Sequence, residues 1–525
     1  MKRSHSKIRS WILWILLILA VFYSIEYTQP RYSLFQDSHD KAVQTYSIWQ
    51  NHFLSDNLYY PAKAFDPELE FFHLTKNLYI QNNRNLVSAF PIQFAYLMAP
   101  FLSILPVSFL AYTSLLFLAF TFLILRRFYH FSILLIAISF FTTFLWPLSW
   151  EYSEFPLLFA FSTISLYPFL KKKRSVNFQF LSGAFLAWSI IVRLDTVPFY
   201  GIFFLSHFYF YIKRNGWNKI QSYIKTYLVF LISTVVFLIF YLSINQILYG
   251  HFLGTRFLAN ANGFSAGFSE RLQWFQSLLF YSDRKLGFFG YIPFAFVLLS
   301  IYWYKFKTIS DSKKNLLIAT TVTLVVIPFL APNDGFNNWG PRFYTVLIFP
   351  YLLLLKPFVS YYYHKRKPLF FSFLLTFGLF TFSLGILGAK LQKAKTNLEK
   401  KFTPILTEIK PDILVFQDYL NLYTSGSYYF DHTVIVSYTS DLNSKLLDRI
   451  VTTNHNAKIA FITWNPDLFS KEMKEAINED KRKSGYRISE WDEMKLETQM
   501  RLLTNDFQIL DRQTYRIWVG TVKSK

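Results

Sequence analysis

Residues 1–25, MKRSHSKIRSWILWILLILAVFYSI, decide the class of fold. Four Lys and Arg side chains crowd positions 2–9, and from Trp11 the chain stays apolar through Ile25. No small-residue cleavage site follows, so the run is expected to be an uncleaved first membrane span with its N-terminus in the cytoplasm. Outward from it, further apolar runs lie near 105–125, 131–147, 155–170, 178–194, 197–212, 226–248, 287–304, 315–332, 341–360 and 368–389. Most approach the roughly 20 residues that a helix needs to cross a hydrocarbon core about 30 Å thick. The expected fold class is therefore α: a polytopic membrane protein of about eleven transmembrane helices. The segment 92–104 is too short to cross alone and reads as interfacial or re-entrant.

Charge placement tests that count. With the N-terminus inside, the inner pieces 2–9, 126–130, 171–176, 213–225, 305–314 and 361–368 hold twenty-one Lys and Arg and one acid, Asp311. The opposite loops, 29–91, 147–154, 249–286 and 333–340, hold eleven acids and nine bases. Lys and Arg concentrate on the cytoplasmic side of membrane proteins, so much of the net +22 is a topology signal and not a nucleic-acid footprint. Composition agrees: 53% of residues are hydrophobic and 16% charged, whereas a soluble domain carries about 25% charge. A soluble enzyme and a disordered chain are both excluded. With no cysteine, disulfides, thiol catalysis and Cys-ligated metals are excluded as well. The expected location is the cell membrane, a bacterial inner or plasma membrane.

An odd span count puts the tail outside. There PDILVF, HTVIVSY, KIAFITW and RIWVGTV read as short strands, with helical LNSKLLDRIVTT and SKEMKEAINED between them. The expected division is a transmembrane part, 1–390, with its long outer loop 29–91, and a small extracytoplasmic α/β domain, 391–525, joined by the basic linker KLQKAKTNLEKK.

The outer loop is where chemistry is expected first, because loops beyond a dozen residues are usually functional and this one is too aromatic to be disordered. Asp37 and Asp40 precede a helical pattern of Ala42, Val43, Tyr46, Trp49 and Phe53. Either carboxylate is placed to act as a general base on a hydroxyl, or to cap the helix. Glu151 and Glu154 in WPLSWEYSEF form an acidic turn with no basic neighbour in sequence, as substrate contacts or as solvated turn residues. Arg193 and Asp195 read as a functional charge pair or a structural one. Arg256, Arg284 and Lys285 lie in the loop 249–286, and Arg342 opens a helix after the Gly340–Pro341 break in PNDGFNNWGPRFYTVLIFP. A guanidinium beside free helix N–H groups suits a phosphate; the alternative is snorkelling to lipid headgroups.

In order and sidedness, these pieces resemble the GT-C membrane glycosyltransferases, the group that contains the protein O-mannosyltransferases and the lipid A aminoarabinose transferases. The similarity spans most of residues 8–390. It is carried by the acidic pair after the first span, FPIQFAYLMAPF, WEYSEF, SGAFLAWSIIVRLD, LYGHFLGTRF, DRKLGFFGYIP and WGPRF. The resemblance implies inverting transfer of a sugar from a polyprenyl-phosphate carrier to a lipid, glycan or protein acceptor on the outer face, within the membrane lipid. It implies an acid soon after the first span as base. Asp37 ranks before Asp40, because Asp37, Lys41 and Gln44 fit the Asp, Lys and Gln spacing of bacterial relatives. The chain departs from other members in lacking an adjacent Asp–Glu pair there. It further implies Arg342, Arg256, Lys285 and Arg284 as donor-phosphate ligands, and Glu151, Glu154, Lys41 and Trp339 as acceptor or sugar contacts. A guanidinium suffices for a monophosphate, so no metal and no cofactor are expected. The rival classes are a transporter or flippase and a lipid-linked glycan polymerase or ligase. A transporter would show repeats and midplane charges; here no repeat is visible and the charges gather at the outer ends of spans.

Overall fold

The structure, a computed structural model, describes residues 2–72, 78–82, 85–170, 175–261, 266–282, 285–333, 335, 340–453, 456–468, 470–483 and 487–523. It is mostly helical, and the chain is a multi-pass membrane protein. Among the described residues, six helices are long and apolar enough to cross a membrane: Trp11–Tyr32, Val107–Phe128, Trp217–Tyr249, Asp311–Leu330, Arg342–Lys365 and Lys367–Ile409. Shorter apolar helices lie at Ile92–Ser103, Phe155–Ser165, Val176–Val192 and Pro293–Tyr304. Helices suit this setting because lipid offers the backbone no hydrogen-bond partner, so every N–H must find its carbonyl within the segment. Several apolar runs that the sequence presents as continuous are broken. Residues 287–304 form Phe288–Tyr291 and then Pro293–Tyr304, because Pro293 has no N–H with which to continue the first helix. After Pro341, a 3₁₀ turn, Arg342–Leu347, leads into Ile348–Lys365.

Close contacts divide the chain into two units. The first comprises Met1–Pro30, Ala89–Met98 and Phe109–Lys393; the second comprises Arg31–Ser88, Ala99–Ser108 and Ala394–Lys525. The first unit is a bundle whose core is almost wholly aromatic and aliphatic. Trp146 and Trp150 lie edge to face in it, and both donate their indole N–H to Ser24 Oγ at 2.9 Å. Val176–Val192 packs tightly on Ile220–Tyr249 because Gly183 lets the backbones approach: a Cβ there would meet the Phe230 carbonyl. The outward faces carry exposed Trp11, Ile15, Ile232, Val236 and Ile239, an apolar surface suited to lipid.

In the second unit, a five-stranded sheet runs in the order Thr433–Val436, Ile413–Phe416, Lys458–Trp464, Tyr515–Val522, Thr504–Asp511. The first three strands are parallel and the last two add antiparallel. The four strands expected from sequence are all present; Thr504–Asp511 is the addition. Ile413–Phe416 is buried throughout, as an unbroken ILVF run requires of a central parallel strand. The expected linker KLQKAKTNLEKK is instead continuous helix, part of Leu379–Ile409. Its Lys, Leu, Gln, Ala and Glu are strong helix formers, and it holds neither Gly nor Pro.

Candidate functional site

The acidic loop belongs to the second unit, where it is pinned at several points. The buried carboxylate of Asp66 accepts hydrogen bonds from the Tyr60 hydroxyl at 2.9 Å and from the backbone N–H groups of Glu70 and Phe71 at 2.9 and 2.8 Å. Arg449, on the helix Ser440–Thr453, pairs with Asp66 at 3.4 Å and with Glu70 at 2.6 Å. The Val436 N–H of the sheet's edge strand donates to the Phe71 carbonyl at 3.1 Å.

The helix Asp37–Gln50 begins at Asp37, and its N-cap position, Gln36, makes no side-chain cap bond. Neither aspartate therefore occupies the cap position; both stand in the first turn, where the helix dipole favours negative charge. Three residues apart, they are neighbours on one face. Their surroundings differ. Asp37 is half-buried, whereas Asp40 is buried. Asp40 Oδ2 accepts a hydrogen bond from the Tyr423 hydroxyl at 3.0 Å, and its Oδ1 lies 3.7 Å from His39 Nδ1. The His39 ring stands edge-on to Tyr423 and Tyr429, with centroids 5.3 and 5.0 Å away. Burial pushes the Asp40 carboxyl above its ordinary value, against the opposing pull of His39 and the Tyr423 hydroxyl. Lys41 is buried on the same helix.

The first unit holds a cavity of about 730 Å³, walled mainly by apolar side chains such as Leu205, Val322, Val326, Leu330 and Phe257. Its polar lining is Glu154, Arg193, Asp195, Arg256 and Asn260. Arg193 forms a fork on Asp195, with Nη2 to Oδ2 at 2.6 Å and Nε to Oδ1 at 3.1 Å, and its Nη1 reaches Glu154 Oε1 at 3.0 Å. Glu154 is thus a buried ion-pair partner. It has no basic neighbour in sequence, but folding brings it Arg193 from the C-terminal end of the helix Val176–Val192. Glu151 stays half-buried. Arg256, on the short helix Gly254–Ala259, stands over the Phe90 ring at 5.0 Å.

After the Gly–Pro break, two side chains share one small pocket and one of them reaches further. Arg342 and Lys285 line a small pocket of about 10 Å³, room for about one water, together with Gly335, Gly340 and Phe343. Phe343 also lines the large cavity, with the guanidinium carbons of Arg193 and Arg342 at 5.3 and 5.8 Å from its ring. Of the phosphate ligands expected from sequence, Arg256 alone among the described residues lines the large cavity. Arg284 and Trp339 lie outside the described residues. Among the described residues no three His, Asp or Glu side chains gather as a metal cluster would.

Sequence reasoning missed Tyr423 and also Glu399. The backbone N–H and hydroxyl of Ser427 donate to Glu399 Oε1 at 3.2 and 3.4 Å. Gly426 has φ +51°, and a Cβ there would overlap the Glu399 carboxyl group. Glu399 follows the apolar stretch 368–389 by ten residues and is buried. No local signal marks either residue, since each acts on a partner distant in sequence. The WEYSEF and RLD strings did mark Glu154, Arg193 and Asp195, and the Arg193–Asp195 pair, though not the pairing of Arg193 with Glu154.

The chain is similar to the crystal structure of ArnT from Cupriavidus metallidurans bound to undecaprenyl phosphate. Identity is 11% and the TM-score 0.47, over 96% of this chain and 98% of that one. Neither a protein-family model nor a curated protein matches.

Proposed function

We propose that the protein is an integral membrane glycosyltransferase that moves a sugar from a polyprenyl phosphate to a hydroxyl acceptor on the outer face of the cell membrane, with inversion. The observation that carries it is the large cavity of the membrane unit, with hydrocarbon walls and a polar end holding Arg256 and Asn260. Such a lining suits a molecule with a long apolar tail and an anionic head. Arg256, at that polar end, supplies the charge for the head. Support comes also from the order and sidedness of the GT-C-like strings in the sequence.

In this chemistry the acceptor oxygen bonds to the anomeric carbon as the bond from that carbon to the phosphate oxygen breaks. The electron pair leaves with the polyprenyl phosphate, and the acceptor proton passes to a carboxylate. Asp37 is the base, because it is accessible where Asp40 is enclosed. Arg256 offsets the charge growing on the departing phosphate, and Arg342 with Lys285 adds positive potential from the neighbouring pocket. Glu154 and Asp195 fix Arg193 at the cavity wall and stand ready to meet sugar hydroxyls.

The test compares surface glycans and lipid extracts of cells with the protein, without it, and with Asp37→Asn. Loss of the protein should remove one sugar from a surface glycan or lipid and accumulate the matching polyprenyl-phosphate sugar. Asp37→Asn should reproduce both effects, with turnover lower by roughly two to four orders of magnitude. Unchanged glycans together with unchanged carrier lipids would exclude the transferase.

A further inference from the structure

Asp40 is an expensive residue to bury, and the structure shows what holds it. Its carboxylate lies on the inward face of the helix Asp37–Gln50, and one oxygen is engaged by a hydroxyl from nearly four hundred residues further along the chain. The segment that brings this hydroxyl, Tyr423–Phe430, is itself fixed. Ser427 holds the Glu399 carboxyl, Gly426 accepts a backbone shape that other residues resist, and the Tyr429 hydroxyl donates to the Tyr59 carbonyl at 3.3 Å. The ring of Tyr423 also contacts Phe35, just ahead of the acidic turn, at 5.5 Å between centroids.

We propose that Tyr423 is a positioning residue for the acidic loop: its hydroxyl bonds the Asp40 carboxylate and favours its charged form, and through it tunes Asp37, one turn earlier, as the base. This inference rests on the transferase reading for the role of Asp37, but the contact it turns on lies wholly within the second unit. The titratable groups that act on Asp40 are His39 and Asp37 from its own helix and Tyr423 from the C-terminal segment, with Tyr429 coupled to it from the same segment. Burial and Asp37 disfavour its charge, while His39 and Tyr423 favour it. Removing the Tyr423 hydroxyl shifts that balance toward the protonated acid. A second negative charge on the same helix face raises the proton affinity of Asp37, so protonating Asp40 leaves Asp37 a weaker base.

The experiment uses full-length protein in native membranes, supplied with the polyprenyl-phosphate sugar purified from cells lacking the protein. Tyr423→Phe keeps the ring and removes only the hydroxyl. The acid limb of its kcat/KM profile, set by Asp37, should move to lower pH by up to about one unit, with a lower plateau that recovers on the alkaline side as Asp40 ionises. In Asp40→Asn the added Tyr423→Phe change should move the limb no further. A uniform fall at every pH, or an unmoved limb, would overturn the inference while leaving the transferase intact. If Asp37→Asn retains turnover, the base assignment fails instead. Hydrogen exchange then judges Tyr423 separately: amides of residues 37–50 should exchange at least about tenfold faster in Tyr423→Phe, and unchanged protection would overturn the positioning role.

Discussion

Gly426→Ala should loosen the turn that carries Tyr423. The backbone there has φ +51° and ψ −121°, outside the helical region, and an alanine held in it costs roughly 1–2 kcal/mol. The new Cβ would overlap the Glu399 carboxyl, so that side chain must swing away and release the Ser427 N–H and hydroxyl. Two such hydrogen bonds are worth about 0.5–1.5 kcal/mol each. Together the local loss is about 2–5 kcal/mol, which corresponds to exchange faster by a factor of roughly 30 to several thousand. Hydrogen exchange of the peptide covering 419–430, measured by mass spectrometry on detergent-solubilised protein, reads this directly. Truncating the colliding group supplies the control. Glu399→Ala removes the obstacle, so Gly426→Ala added to it should cost only the backbone part. A double variant as perturbed as the sum of the two single ones, or a Gly426→Ala protein with wild-type protection, would refute the steric argument.

Arg193→Met should destabilise the protein by about 3–5 kcal/mol in detergent unfolding, because it strands two carboxylates at the cavity wall, whereas Glu154→Gln should cost much less. Arg256→Ala should raise KM for the carrier-linked sugar and lower kcat, a combined loss of about 30- to 1000-fold in kcat/KM. Arg256→Lys should recover part of it, since a point charge remains.

The mostly helical, multi-pass character was legible because it is written in local composition: apolar runs and Pro or Gly breaks are properties of neighbouring residues. The strands of the C-terminal sheet were legible for the same reason, and only Thr504–Asp511, whose residues are mostly polar, escaped. Acidic strings pointed to Asp37, Asp40, Glu154 and Asp195 because a carboxylate at a membrane boundary is conspicuous wherever it folds. Pairing was not legible. Arg193 could be matched to Asp195 two residues away but not to Glu154, and nothing near Tyr423 announces a buried aspartate as its partner. Arg342 drew attention through its Gly–Pro setting, yet the 3₁₀ turn aims it at a pocket the size of a water, and the less conspicuous Arg256 lines the large cavity.

The central claim, that the large cavity takes the polyprenyl chain of a phosphate-linked sugar, is tested most directly by photo-crosslinking. A polyprenyl phosphate carrying a diazirine on its chain, irradiated with the full-length protein and mapped by mass spectrometry, should label Leu205, Val322, Val326 or Leu330. Labelling should diminish with excess unmodified polyprenyl phosphate and with Arg256→Ala. Labels confined to outward residues such as Ile232, Val236 and Ile239, insensitive to both competitor and Arg256→Ala, would contradict the claim.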